Sequence, residues 1–176
     1  MAYPPVVVVD EHDREVGAAM TAEVWEKGLY HRIVSVFVLD ARGQMLLQRR
    51  SVQVKAFPGC WDQAAGGHVD AGHGYDDTAA LELAEETGLQ GMPLETVATY
   101  RFNTQDEGRT INQFVRVYVA RVPHGALVKP AADEVGELRW FTPAELCALA
   151  ASKPQDFTPG FLHELREYFP EFLEGK

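Results

Sequence analysis

Cysteine is scarce in this chain. Cys60 and Cys147 are its two, far apart and without Cys-x-x-Cys or Cys/His spacing, which argues against a disulfide framework or a zinc site. Long apolar runs are missing as well. The opening stretch, MAYPPVVVVDEHD, offers four valines before acid intervenes, too few for a secretory leader or a spanning helix. The expectation is a cytoplasmic protein with no membrane partner. Positive charge is the third shortage. Sixteen Lys and Arg face 26 Asp and Glu, for a net charge of −10, which excludes a nucleic-acid polymer held by a basic face. The shortage is local: no Lys or Arg stands between Lys55 and Arg101, while Asp62, Asp70, Asp76, Asp77, Glu82, Glu85, Glu86 and Glu95 all do.

What is present is ordinary globular material. With 176 residues, 46% of them hydrophobic and 24% charged, the expectation is a single domain over residues 1–176. VVVVD and EVGAAM flank the turn EHDR as one hairpin, and RIVSVFVLD and MLLQRR flank ARGQ as a second. A glycine-rich loop, QAAGGHVDAGHG, leads into DDTAALELAEETG. There Asp76 or Asp77 can cap a helix whose inward stripe is Ala80, Leu83, Ala84 and Thr87, with Gly88 closing it. TVATYRFN and INQFVRVYVARV form a long antiparallel pair around TQDEGRT, and ELRWF is a last strand. Thr142-Pro143-Ala144-Glu145 is a capping box that opens one helix, and Thr158-Pro159 opens another. The class is therefore mixed α/β or α+β.

Glu82, Glu85 and Glu86 are spaced i, i+3 and i+4, so their carboxylates share one helix face, set opposite the apolar stripe. Each close like-charge pair costs about 0.2–0.5 kcal/mol, and the two nearest the C-terminus also oppose the helix dipole. A solvated acidic face would ordinarily explain such a cluster, but its interleaved Lys or Arg are absent. A hard divalent cation is the simplest compensating charge. Gly66, Gly67, Gly72 and Gly74, just ahead of the helix, would let backbone approach a ligand closely.

GGHVDAGHGYDDTAALELAEETGL resembles the Nudix box, G-x5-E-x7-R-E-U-x-E-E-x-G-U with U aliphatic. The match runs through Gly67, Glu82, Leu83, Glu85, Glu86, Gly88 and Leu89, with His73 in place of the box glutamate and Leu81 in place of its arginine. VVDEHDREVG, LYHRIVSVFVLDARGQMLLQRRS, PGCWDQAAGGHVDAG and DEVGELRWFTPAEL extend the likeness to the isopentenyl-diphosphate isomerase branch of that superfamily. The resemblance implies a mixed sheet sandwiched between helices, with an N-terminal β-hairpin. The isomerase's catalytic cysteine falls on Gly66, its catalytic glutamate falls near Gln113, and Cys60 lies six residues early. Proton transfer at carbon needs a positioned acid and base, so isomerase chemistry ranks third.

The leading expectation is a Mg²⁺- or Mn²⁺-dependent hydrolase. It would cleave a nucleoside diphosphate linked to another moiety, or a related small diphosphate, and a homodimer is left open. Glu82, Glu85, Glu86 and the Gly66 carbonyl would bind metal. Glu85, Glu86 or Glu134 would take the proton from water, with Glu137 a further candidate. Arg50 matches a phosphate-binding arginine of the isomerase branch; Lys55 is offset by one from its lysine, and Arg49 shares the approach. His68 matches a metal ligand of that branch and is placed on the substrate side as a supporting residue. His31 lacks the branch's second histidine, because Val24 stands there, and is assigned a structural role. Trp61, Tyr100 and Phe102 are assigned to the core. The second reading is a binding module on a degenerate scaffold, motivated by His73 and Leu81.

Overall fold

A computed structural model describes residues 4–106, 109–130 and 134–175. Its centre is β3 (Tyr30–Asp40), an eleven-residue strand whose alternation sends Val34, Val36 and Val38 to one side and Phe37 and Leu39 to the other. Both sides are apolar because both are covered by helices. β8 (Arg109–Val122) runs parallel to β3 along its whole length, from Tyr30 opposite Asn112 to Asp40 opposite Val122. On the other edge of β3 lie β6 (Ala65–His68) over Ile33–Val36 and β4 (Met45–Arg50) at its end, both antiparallel.

The remaining strands extend this nine-stranded mixed sheet. β1 (Val6–Val9) and β2 (Glu15–Ala19) form the N-terminal hairpin. Asp10 shapes its turn by accepting the His12 and Arg14 amides at 2.9 and 3.0 Å. β5 (Trp61–Gln63) and β9 (Val135–Phe141) flank β4, and β7 (Leu94–Asp106) pairs with β8. Residues 107 and 108, at the tip of the β7–β8 hairpin, lie outside the described residues, as do Ala131, Ala132 and Asp133 ahead of β9.

α1 (Thr21–Lys27) covers the hairpin, with Val24 buried. α2 (Tyr75–Thr87) packs Tyr75, Ala79 and Leu83 against Val34, Val36, Val38 and Tyr118. The other face is covered by α3 (Pro143–Ser152), α4 (Pro159–Tyr168) and α5 (Glu171–Glu174), which bring Leu146, Phe161, Leu165 and Phe172 onto Phe37, Leu47 and Val117. Truncating a residue such as Phe161 to alanine would cost about 3–5 kcal/mol. The capping box of α3 is made, with the Glu145 amide donating to Thr142 Oγ1 at 3.2 Å and the Thr142 amide to Glu145 Oε2 at 2.9 Å. Trp61 is buried against Phe141, and Tyr100 and Phe102 are half-buried on the same cluster.

Three local expectations are corrected. Gly66 and Gly67 belong to strand β6 and not to a loop: the strand is too short and too poor in side chains to show a period. α2 starts at Tyr75 with Gly74 as its N-cap, so Asp76 and Asp77 stand in the first turn, where their charge still favours the helix N-terminus. The buried stripe of α2 is Tyr75, Thr78, Ala79, Leu83, Glu86 and Thr87, whereas Ala80 is exposed. The helix is thus rolled so that Glu82 and Glu86 face the sheet. Tyr75 and Thr78, both buried, lie ahead of the apolar cluster read from the sequence.

Candidate active site

α2 delivers its carboxylates to a floor made by β6 and β4. Glycine at position 67 makes room for Glu82: a Cβ there would stand 2.1 Å from Glu82 Oε1. A side chain at Gly66 is excluded as well, by the Val34 carbonyl at 2.7 Å and Gln63 Nε2 at 2.8 Å. The contact Gly66 makes is through its amide, which donates to Glu86 Oε2 at 2.9 Å. Gln48 Nε2 donates to that same oxygen at 3.0 Å. Glu86 is 6% exposed and Gln48 2%, so one carboxylate oxygen is held by two buried donors while the other keeps its lone pairs for a ligand.

The electrostatics oppose this arrangement. Burial pushes the Glu82 carboxyl up to about 7, and the charges that act on it, Glu85, Glu134 and Asp70, push the same way. Burial likewise drives Glu86 up to about 8; Glu82 and Glu134 add to the rise, and the Gly66 amide and Gln48 offset part of it. Glu85 is exposed at the rim. Glu134 sits in the turn before β9, held by the Ser51 amide on its carbonyl at 2.8 Å. From there its charge reaches both buried glutamates. Glu137, in β9 opposite Arg49, is exposed.

Among the described residues, no three Asp, Glu, His or Cys side chains are gathered closely enough to hold an ion as they stand. The chemistry of the donor set nevertheless fits a hard cation. It is all oxygen, it is anionic, and Glu82 and Glu86 carry no opposing cation among the charges that act on them. Glu82, Glu86 and Glu85 are the residues that would hold it.

The cations expected on the approach are differently placed. Arg50 Nε donates to the Ala56 carbonyl at 3.0 Å and its Nη1 lies 3.4 Å from Asp62 Oδ2, so this side chain shapes the 51–60 loop. Arg49 donates to the Gly59 carbonyl at 3.0 Å and lies over Trp61. Lys55 is exposed on that loop. His68 stacks on His31 with ring centroids 5.2 Å apart and approaches Trp25 at 6.4 Å. Burial, aided by His31, lowers His68 to about 3, and burial lowers His31 too. Burial thus favours the neutral form of both rings. Gln113 reaches His31 Nε2 at 3.3 Å. His73 is exposed, as is Leu81 at 48%.

Sequence reasoning missed Gln48 and Asp70. Gln48 left a readable signal: an amide two positions after Leu46 in MLLQRR falls on the inward face of a strand, where a polar group needs a buried partner.

The NUDIX domain family is matched over residues 29–161. The chain is 36% identical over 161 residues to an isopentenyl-diphosphate Delta-isomerase of Nocardia farcinica, covering 88% of this chain and 89% of that one. It is 35% identical over 160 residues to an uncharacterised Nudix hydrolase of Pseudomonas aeruginosa, covering 91% and 90%. The crystal structure of DR0079 from Deinococcus radiodurans superposes with a TM-score of 0.77 at 24% identity, over 94% of this chain and 99% of that one. Carboxylates crowded on a helix over a glycine floor, and a match that spans most of the chain, lead to one conclusion: this protein belongs to the NUDIX family.

Proposed function

We propose that the chain acts as one Mg²⁺- or Mn²⁺-dependent pyrophosphohydrolase domain on a nucleoside diphosphate linked to another moiety, or on a related small diphosphate. One observation carries this reading. Glu82 and Glu86 are turned inward, and among the described residues the charges that chiefly act on them are negative. A site that keeps buried carboxylates without cationic partners is suited to a charge brought from outside. In support, a solved structure of the same fold, the NUDIX domain of Shewanella oneidensis NrtR, is complexed with ADP ribose (TM-score 0.62, 18% identity, 78% of this chain and 84% of that one).

The ion, when bound, neutralises diphosphate oxygens and makes water more acidic. Glu82 and Glu86 would hold it, and Gln48 and the Gly66 amide, both bonded to Glu86 Oε2, leave the other oxygen of that carboxylate available. Glu85, exposed on α2, or Glu134, in the turn before β9, would take the proton from the attacking water. Lys55, exposed on the 51–60 loop, would meet phosphate charge, while Arg50 holds the loop that carries it.

A panel of nucleoside diphosphate-linked compounds, assayed with Mg²⁺ and with Mn²⁺, tests the proposal. Phosphate or nucleotide release that disappears in Glu86→Gln supports it; no release above blank with either ion overturns it. The exposed His73 and Leu81 favour a second reading, a binding module without turnover. That reading predicts thermal stabilisation by the same compounds with no product, and turnover dismisses it.

A further inference from the structure

His73 and Leu81 face solvent, so the first turn of α2 is held by other groups. Tyr75, 5% exposed, lies between two guanidinium groups, with Arg116 4.0 Å and Arg32 5.0 Å from its ring centroid. Its hydroxyl donates to the Asp13 carboxylate at 3.1 and 3.2 Å, and Asp13 also accepts Arg32 Nε at 2.7 Å. The next residue, Asp76, accepts the Tyr118 hydroxyl and lies 3.9 Å from Arg116 Nη1. Arg116 Nε donates to Thr99 Oγ1 at 3.0 Å. Two consecutive residues thus fasten α2 to the β1–β2 turn, β3, β7 and β8.

At 3.6 residues per turn, offsets of 4, 7 and 11 from Tyr75 fall close to one line along the helix, so Tyr75, Ala79, Glu82 and Glu86 share a stripe. Any roll of α2 that frees the ring also carries both carboxylates away from Gly67 and Gly66. Burial and mutual repulsion drive Glu82 and Glu86 toward water, so the helix needs an opposing hold. The far end has one, since the Lys129 amide donates to the Thr87 carbonyl at 2.8 Å. At the near end the aromatic ring and its two cations supply it.

We infer that Tyr75, Asp76 and Arg116 are positioning residues that set the roll of α2 and so keep the Glu82 and Glu86 carboxylates inward for a divalent cation. The inference rests on the function proposed above.

The test is Mn²⁺ titration calorimetry, beside metal-free thermal melts and kinetics, on the full chain. Arg116→Gln is expected to weaken Mn²⁺ binding by about 10–100-fold and to lower kcat with little change in the substrate's KM. Arg116→Lys, which keeps a cation over the ring, is expected to recover most of that loss. Leu146→Val, in the opposite core, should lower the melting temperature while Mn²⁺ affinity stays within about twofold of the parent. Should Arg116→Gln fail to fold, Tyr75→Phe keeps the ring, removes the Asp13 bond and is expected to weaken Mn²⁺ binding by a smaller factor. Parent-like Mn²⁺ affinity in Arg116→Gln, or in Tyr75→Phe where Arg116→Gln does not fold, overturns the inference and leaves the proposed function standing. A parent protein that takes up no Mn²⁺ overturns both.

Discussion

Two carboxylates are buried on opposite faces of one sheet, and they are buried differently. Glu164, 3% exposed on α4, accepts the Ser35 hydroxyl at 2.6 Å on one oxygen and the Tyr100 hydroxyl at 2.9 Å on the other. Glu86 has both its donors on a single oxygen. Both acids are raised to about 8, with burial the largest cause in each. They part in their neighbours. Among the described residues, the charge that acts on Glu164 is Asp62, itself tied to Thr158 at 2.7 Å and paired with Arg50. Glu86 feels Glu82 and Glu134 together. A similar shift thus marks a completed hydrogen-bond site on one face and an uncompensated charge cluster on the other. A perturbed acid is a guide to function only when the partners it lacks are counted beside those it has.

The largest expected effect that would break this contrast is catalytic. Glu86→Gln should lower kcat by about 10²–10³-fold, whereas Glu164→Gln should change it by less than about threefold, in steady-state kinetics at saturating Mn²⁺. Comparable losses in both would erase the distinction. Next, Gly67→Ala puts a Cβ where Glu82 Oε1 stands. It should weaken Mn²⁺ binding by about 10–100-fold in calorimetry, and no equivalent effect is expected from Gly17→Ala in β2, where a Cβ meets nothing within 4 Å.

Stability against pH sharpens the comparison further. The folded value of Glu164, about 8, lies above the ordinary 4.5, so folding favours the neutral acid. That stabilisation is complete below about 4.5 and is lost as pH rises through about 8, a change of a few kcal/mol at most. Glu164→Gln should therefore flatten the alkaline fall of the melting temperature in the metal-free protein, and added Mn²⁺ should leave the Glu164 part of the fall in place. The smallest effect belongs to Lys55→Ala. A single exposed cation contributes little, so KM should rise by about two- to fivefold with kcat nearly unchanged.

The sequence made much of this architecture legible, for local reasons. The two hairpins, the long β7–β8 pair and the α3 cap follow from alternation and from side chains that bond within a few residues of themselves. The glutamate triplet was legible as a candidate site because its charge was uncompensated along the chain. Its orientation was not, because small alanines in the helix gave a weak stripe and the buried aromatic, Tyr75, lies outside it. Glu164 was hidden for another reason. In GFLHELREYF it reads as a surface residue, and its partners Ser35 and Tyr100 are 129 and 64 positions away. Such pairings depend on which strands become neighbours, which no local pattern encodes.

Ser35 and Gly66 stand opposite each other in the β3–β6 ladder. One serves Glu164 through its hydroxyl, and the other serves Glu86 through its amide. The two acids are thus wired to adjoining rungs, back to back across a wall one strand thick. A displacement of β6 on the glutamate side would tug the clasp on the other, so the infrared carboxyl band of Glu164 becomes a spectator signal for events in a chamber it never enters.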